Sequence, residues 1–147
     1  MGDLVVERAS SASVAELWQV ATDWDGHGRF FPGTSVRALT PDSAVGQRVS
    51  AITRIGPLRL HDEMRVTRWE PPGASGRCEV RKVGRVFGGR TVIEVEPVGS
   101  GSLLRWTTDV GPAPRLAHRL LSPVSKLIAA PLYRRVVGGM VAEAGHG

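Results

Sequence analysis

Hydrophobic and polar residues follow two periods along the 147-residue chain, and the change of period divides it into three parts. The opening "DLVVERA" is a short β-rich run, and "SSASVAELWQVAT" follows with Val14, Leu17, Trp18 and Ala21 at helical spacing. Ser11 or Ser13 stands at the N-cap, and Glu16 lies three residues after Ser13, the spacing of a capping box. Trp18 therefore reads as a core anchor. "DWDGHGRFFPG", residues 23–33, breaks the helical pattern with Gly26, Gly28, Pro32 and Gly33 and predicts a short helical turn and a loop. From Val36 to Val110 the period becomes two, in strands separated by "TPDSAVGQ", "RIGPLR", "EPPGASG", "VFGG" and "PVGSGS". The tail regains helical spacing, with Leu116, Leu120, Val124, Leu127, Ile128, Leu132, Val136 and Met140 on one stripe. Ser122–Pro123 predicts a restart of that helix and Pro131 a kink, because proline has no amide to donate.

A strand, two short helices, about six antiparallel strands and a long final helix make an α+β plan, with residues 1–147 as one domain. The final helix is the only predicted element long enough to cover the sheet, and a curved sheet gripping one helix tends to leave a space between them. Alternation places Leu60, Met64 and Val66 on one face and Arg59, His61, Glu63 and Arg65 on the other. The same reasoning turns Thr91, Ile93, Val95, Leu104, Trp106, Thr108 and Val110 inward. Glu94, Glu96, Arg105 and Asp109 face water. Candidate ligand contacts are thus Phe31, Met64, Val66, Thr91, Ile93, Val95, Leu104, Trp106, Thr108, Leu127 and Tyr133.

Composition narrows the function classes. The net charge of +5 comes from arginine, with Lys82 and Lys126 the only lysines. The arginines are scattered singly along the strands, so no nucleic-acid partner is expected. Cys78 is the single cysteine, which excludes an intrachain disulfide and a thiolate metal cluster and fits a cytoplasmic protein. The N-terminal residues carry Asp3 and Glu7 without a long apolar run, unlike a secretory signal, and Val6 replaces the Ser or Thr of a myristoylation signal.

The pieces "VAELWQVATDWDGHGRFFPG", "VTRWEPPG" and "VEPVGSGSLLRWT", in this order ahead of a long C-terminal helix, carry a family likeness across nearly the whole chain. The sequence resembles the START-like, Bet v 1-type (SRPBCC) superfamily, and within it the polyketide cyclase/dehydrase and lipid-transport group. The resemblance implies a helix-grip fold: a curved antiparallel sheet of about seven strands around a long C-terminal helix, enclosing a cavity for a hydrophobic molecule. It implies no single reaction, because the superfamily includes aromatases, cyclases, lipid carriers and hormone receptors.

Three functions follow as expectations. The first is binding of a small or medium hydrophobic ligand, such as a polyketide, lipid or isoprenoid. The second is a polyketide cyclase/aromatase or dehydratase, so enzymatic turnover stays open. Its catalytic candidates are His27, placed at the cavity rim beside Arg29, and Asp62, which shares the face of Leu60 and Met64. A bulge near "GPLRL" would instead return Asp62 to water, and Arg68 nominally shares its face. Thr91, Thr108 and Tyr133 supply hydrogen bonds to a ligand oxygen. The third is a peripheral membrane or protein-partner module, based on Arg119, Lys126, Arg134 and Arg135 beside the apolar stripe. Membrane contact would be transient, and a homodimer stays open. No metal site is expected, because His27, His61, His118 and His146 lack ligand spacing, and "GPAP" and "GGR" lack the spacing of a nucleotide-cofactor loop.

Overall fold

A capping box starts the first helix: Ser13 Oγ accepts from the Glu16 amide and Glu16 Oε1 from the Ser13 amide, both at 3.1 Å. Of the two cap candidates it is Ser13 that caps. The computed structural model describes residues 4–40, 45–83, 87–112 and 115–146. The side chains of residues 87, 110–123, 125, 126 and 146 lie outside the description, and with them the expectations for Val110, Leu116, His118, Arg119, Leu120, Lys126 and His146.

Strand β1 (Leu4–Ser10) leads into α1 (Val14–Ala21) and a 3-10 helix (Trp24–Arg29). Six strands follow: β2 (Thr34–Ala38), β3 (Arg48–Ile55), β4 (Leu58–Glu70), β5 (Gly76–Lys82), β6 (Phe87–Val98) and β7 (Gly101–Pro112). Helix α2 (Arg115–His146) ends the chain. The seven strands form one curved antiparallel sheet in the order β1-β7-β6-β5-β4-β3-β2, so the first strand joins the last and closes one side of the meander. With α2 against its inner face, this is the helix-grip fold.

At one end the space between sheet and helices is filled solid. Leu17, Trp18 and Ala21 of α1 meet Val66, Cys78, Val95 and Leu104 of the sheet and Val136, Val137 and Met140 of α2 in one buried cluster. A bulge in β4 between Val66 and Arg68 makes this packing possible, because it changes which residues face inward. After it Trp69 turns toward the core, its ring 5.2 Å from that of Trp18, while Arg68 leaves for solvent and pairs with Glu70 at 2.6 Å. The bulge therefore falls beyond Asp62, which keeps its inward position, and Arg68 does not share that face.

Helix α2 also departs from expectation. It runs as one element through Ser122–Pro123 and Pro131, with no restart. Pro131 is exposed, as is Leu127 four residues earlier, so the carbonyl deprived of its amide lies on the watered side of the helix. The apolar stripe divides: Val136 and Met140 are buried, whereas Val124, Leu127 and Ile128 are exposed. Among the described residues no helix is long and apolar enough to cross a membrane.

Gly76 sits where β5 passes beneath Trp18, and a Cβ there would lie 2.8 Å from the ring. Gly76→Ala should lower the unfolding free energy by about 1–3 kcal/mol in urea titrations, since the overpacked ring is hemmed in by Trp69. Gly73→Ala, in the same connection but with open space around it, is the control and should change stability little.

Candidate functional site

Away from the packed end, the sheet and α2 diverge around a cavity of about 330 Å³. The pairing of β6 with β7 shows the change layer by layer: Val95 lies opposite Leu104, Ile93 opposite Trp106, and Thr91 opposite Thr108. The first pair belongs to the solid core and the second lines the cavity. In the third pair Thr91 reaches the cavity while Thr108 stands behind it, their hydroxyls 2.8 Å apart. Val36, Val49, Ala51, Thr53, Met64 and Val80 continue the sheet wall, Trp24, His27, Phe31 and Pro32 form an end, and Ala129, Leu132 and Tyr133 descend from α2.

Of the residues assigned to the ligand from sequence, Phe31, Met64, Thr91, Ile93, Trp106 and Tyr133 are brought together around the cavity. Val66, Val95 and Leu104 are not, because α1 covers their end of the sheet. Thr108 is wholly buried, its hydroxyl 2.8 Å from that of Thr91 and 3.4 Å from the Arg90 carbonyl oxygen. Leu127 is 79% exposed. It lies two residues from Ala129, roughly 200° around the helix, and points away from the space that Ala129 lines.

His27 is the largest positional correction. It does not stand at the rim: it is 5% exposed, with the rings of Trp24, Phe31 and Trp106 at 5.1, 6.4 and 6.1 Å. Its Nε2 lies 2.8 Å from the Ala21 carbonyl, which only accepts, so Nε2 carries the proton and Nδ1 is left as an acceptor. Burial lowers its pKa to about 4, outweighing the carbonyl and Asp23, which pull the other way. Near neutral pH it is an uncharged and weak base. Arg29, Asp23 and Asp25 do face water. Arg29 binds Glu143 of α2 and Asp25 accepts from the Ala38 amide, which ties the loop to its neighbours, while Asp23 makes no side-chain cap.

Asp62 reaches the cavity wall, where it accepts from Lys82 Nζ; the two side chains are 13% and 11% exposed. Lys82 stands opposite Met64 across β4–β5. Burial pushes the Tyr133 phenol above its ordinary value; the charge of Asp62 adds to the rise, while Lys82 and the Thr108 hydroxyl act against it. Asp62, Lys82, Tyr133 and Thr91 therefore form a polar end in an otherwise apolar space. Two buried atoms at the wall, Asp62 Oδ1 and Trp106 Nε1, lack a hydrogen-bond partner among the described residues. Cys78 is buried in the core, which lifts its thiol to about 12 and leaves no nucleophile there. Among the described residues no three metal-ligating side chains converge.

A wider depression of about 800 Å³ lies outside the sheet–helix space, between α1, the 3-10 helix and the β4–β5 turn. It is lined by Gln19, Asp23, Asp25, Arg29 and Glu143 among others, so the smaller, more apolar space is the better candidate ligand site.

Residues 1–145 match the family described as polyketide cyclase / dehydrase and lipid transport. The chain belongs to this family. No curated protein matches it. Among solved structures it is similar to TTHA0849 from Thermus thermophilus, with a TM-score of 0.75 and 13% identity over 97% of this chain and 96% of that one. The Zhui aromatase/cyclase from Streptomyces sp. R1128 gives a TM-score of 0.72 and 13% identity, over 95% of this chain and 91% of that one. Ara h 8.0201 gives 0.61 and 11%, over 94% and 96%. At these identities the structures share a fold.

Sequence reasoning missed Trp24, Lys82 and the β3 residues of the family member's cavity. Val49, Ala51 and Thr53 carry the period-two signal that would have found them. Trp24 Nε1 donates to Gln47 Oε1 at 2.9 Å and holds the loop against β3.

The depressed pKa of His27 makes a stability prediction. Between about pH 6.5 and pH 4 the unfolded chain binds a proton that the folded chain refuses, so stability falls as pH falls through that window. At pH 5 the loss relative to pH 7 should be about 2 kcal/mol. His27→Gln, which keeps a donor for the Ala21 carbonyl, should flatten the slope in urea titrations, and an equal loss in both proteins would contradict the assignment.

Proposed function

We propose that this protein binds a small or medium hydrophobic molecule, of the polyketide, lipid or isoprenoid kind, between the sheet and α2. The carrying observation is the cavity of about 330 Å³ between sheet and α2, open to solvent on one side, whose walls are apolar except at one end. That volume lies at the lower limit of small-molecule sites. The polar end supports a ligand that carries oxygen on its carbon skeleton. A buried polar atom without a partner costs roughly 1–3 kcal/mol, and a ligand hydroxyl or carbonyl reaching Asp62 Oδ1 or Trp106 Nε1 would offset part of that cost.

A cyclase or dehydratase reading has one specific observation in its favour, the Asp62 carboxylate on the cavity wall with Lys82 and Tyr133 beside it. In this reading Asp62 takes a proton from the ligand and Lys82 steadies the oxygen on which charge develops. His27 holds the aromatic end and orients a ligand hydroxyl through Nδ1, because a base with a pKa of about 4 is weak near neutrality.

Native mass spectrometry of freshly purified protein, with identification of any extracted molecule, tests the binding reading directly. Ala51→Trp places an indole in the cavity and should weaken binding of an apolar fluorescent dye at least about tenfold, with the folded circular-dichroism spectrum unchanged. Unchanged dye affinity in that variant would remove the cavity from the function. Turnover of a polyketide substrate that survives Asp62→Asn would remove the cyclase mechanism and leave binding intact.

A further inference from the structure

Two of the residues lining the cavity, Pro32 before β2 and Leu132 on α2, are exposed, and they mark where it opens to solvent. On both sides of that opening the apolar surface continues outward uncovered. Thr53 of β3 lines the cavity, and two residues further Ile55 continues the same face of the sheet, paired with Leu58 across the Gly56–Pro57 turn. Gly56 has φ +58°, the left-handed value that a two-residue hairpin of this kind needs at its first position. Ile55 and Leu58 are 57% and 60% exposed. On α2, Ile128 stands one turn before Leu132 on the same side of the helix and is 74% exposed, while Leu127, 79% exposed, lies on the outer face of that turn.

On the outer face of the sheet several arginines are matched to acids: Arg77 to Glu94, Arg90 to Glu79, Arg105 to Glu7, and Arg48 of β3 to Glu63. Arg54 and Arg59 beside the opening have no such partner among the described residues. Residues 43–61, which carry the hairpin, contain no Asp or Glu, and neither do residues 115–142 of the helix. Both stretches carry only positive charge, including Arg54, Arg59, Arg134 and Arg135, all exposed. Arg54 and Arg59 stand directly opposite each other in the hairpin, an arrangement that repels. An anionic surface converts that repulsion into attraction.

We propose that the cavity mouth docks on an anionic lipid bilayer, with the hairpin tip and the exposed turn of α2 as its two points of insertion. The order Arg-Ile-Gly-Pro-Leu-Arg in residues 54–59 sets an apolar apex between two guanidiniums, so the arginines lie at the phosphate level when Ile55 and Leu58 enter the acyl boundary. Ile128 enters beside them with the opening between facing the membrane, and Leu127 adds apolar surface on the outer side of the same helical turn. A hydrophobic ligand then passes between bilayer and cavity without crossing water. The purpose of the surface rests on the ligand-binding reading; its existence rests on the exposed apolar residues and the unmatched charge.

Flotation of the full chain with phosphatidylcholine vesicles containing about a third phosphatidylglycerol, against phosphatidylcholine alone, tests the proposal. The protein should float with the anionic vesicles, less so as salt rises, and not with the neutral ones. The pairs Ile55→Ser with Leu58→Ser, and Leu127→Ser with Ile128→Ser, should each lower the bound fraction at least about fivefold. Arg54→Glu with Arg59→Glu should do the same and weaken the salt dependence. None of these side chains lines the cavity, so dye affinity should stay within about twofold of the parent value. Absence of flotation at low salt, or flotation that all three variants retain, would overturn the proposal. So would a wild-type dimer in sedimentation that the Leu127/Ile128 variant dissociates, since a second copy would then own the surface. Flotation without dye binding would uphold docking and remove the ligand reading, so the two fail separately.

Discussion

One helix cannot cover the inner face of a seven-stranded curved sheet, and the rest of the molecule follows from that mismatch. Where α1 adds a second layer, the inward residues Val66, Val95 and Leu104 have partners on every side and form an ordinary close-packed core. Where α2 stands alone, the same alternation continues in Ile93, Thr91, Met64 and Ala51, but the space in front of them is not filled. The cavity is therefore a consequence of layer count as much as of any special lining residue. The aromatic group of Trp24, His27, Phe31 and Trp106 marks the boundary between the two regimes, and the His27 hydrogen bond to Ala21 ties that boundary to the end of α1.

Much of this architecture was legible in the sequence, for identifiable physical reasons. The capping box at Ser13, the period-two alternation of the strands and the length of the last helix each specify local structure, and together they leave few arrangements open. The failures share a cause as well. Which inward residue meets a cavity and which meets a helix depends on the reach of α1 across the sheet, a tertiary fact with no periodic signature, so Val66 and Ile93 look alike in sequence. Leu127 lies on a helical stripe whose two halves have different neighbours: Val136 and Met140 meet the core, and Leu127 meets solvent. His27 was misplaced because Gly26 and Gly28 suggested an exposed loop, whereas the 3-10 turn rotates its ring inward. The bulge after Val66 was anticipated in kind and displaced in position, and its position decides that Asp62 faces the cavity.

The outer face of the sheet carries a different kind of order. Arg105 reaches Glu7, Glu94 and Glu96, and Arg90 and Arg81 both approach Glu79, whose carboxyl is held below its ordinary value chiefly by the Thr67 hydroxyl. These partly exposed pairs each contribute little, of the order of 0–1 kcal/mol, yet opposite charges across strands favour the observed register over a slipped one. The basic composition is thus misleading as a whole-molecule property. Much of the sheet's positive charge is neutralised locally, whereas the two stretches that flank the cavity opening contain no acidic residue, although Glu63 reaches Arg48 from outside them.

The Asp62–Lys82 pair is the feature that stability explains least. An ion pair drawn largely out of water loses hydration that its mutual attraction only partly returns, and well-packed apolar residues of similar volume would hold β4 to β5 as well or better. Among the described residues Asp62 Oδ1 also has no hydrogen-bond partner, so the pair is not fully satisfied within them. The pair stands in a largely apolar wall beside Tyr133, where packing of the sheet alone does not require it. The polar end is the part of the cavity lining that offers directed hydrogen bonds, because the remaining walls offer contact area without direction.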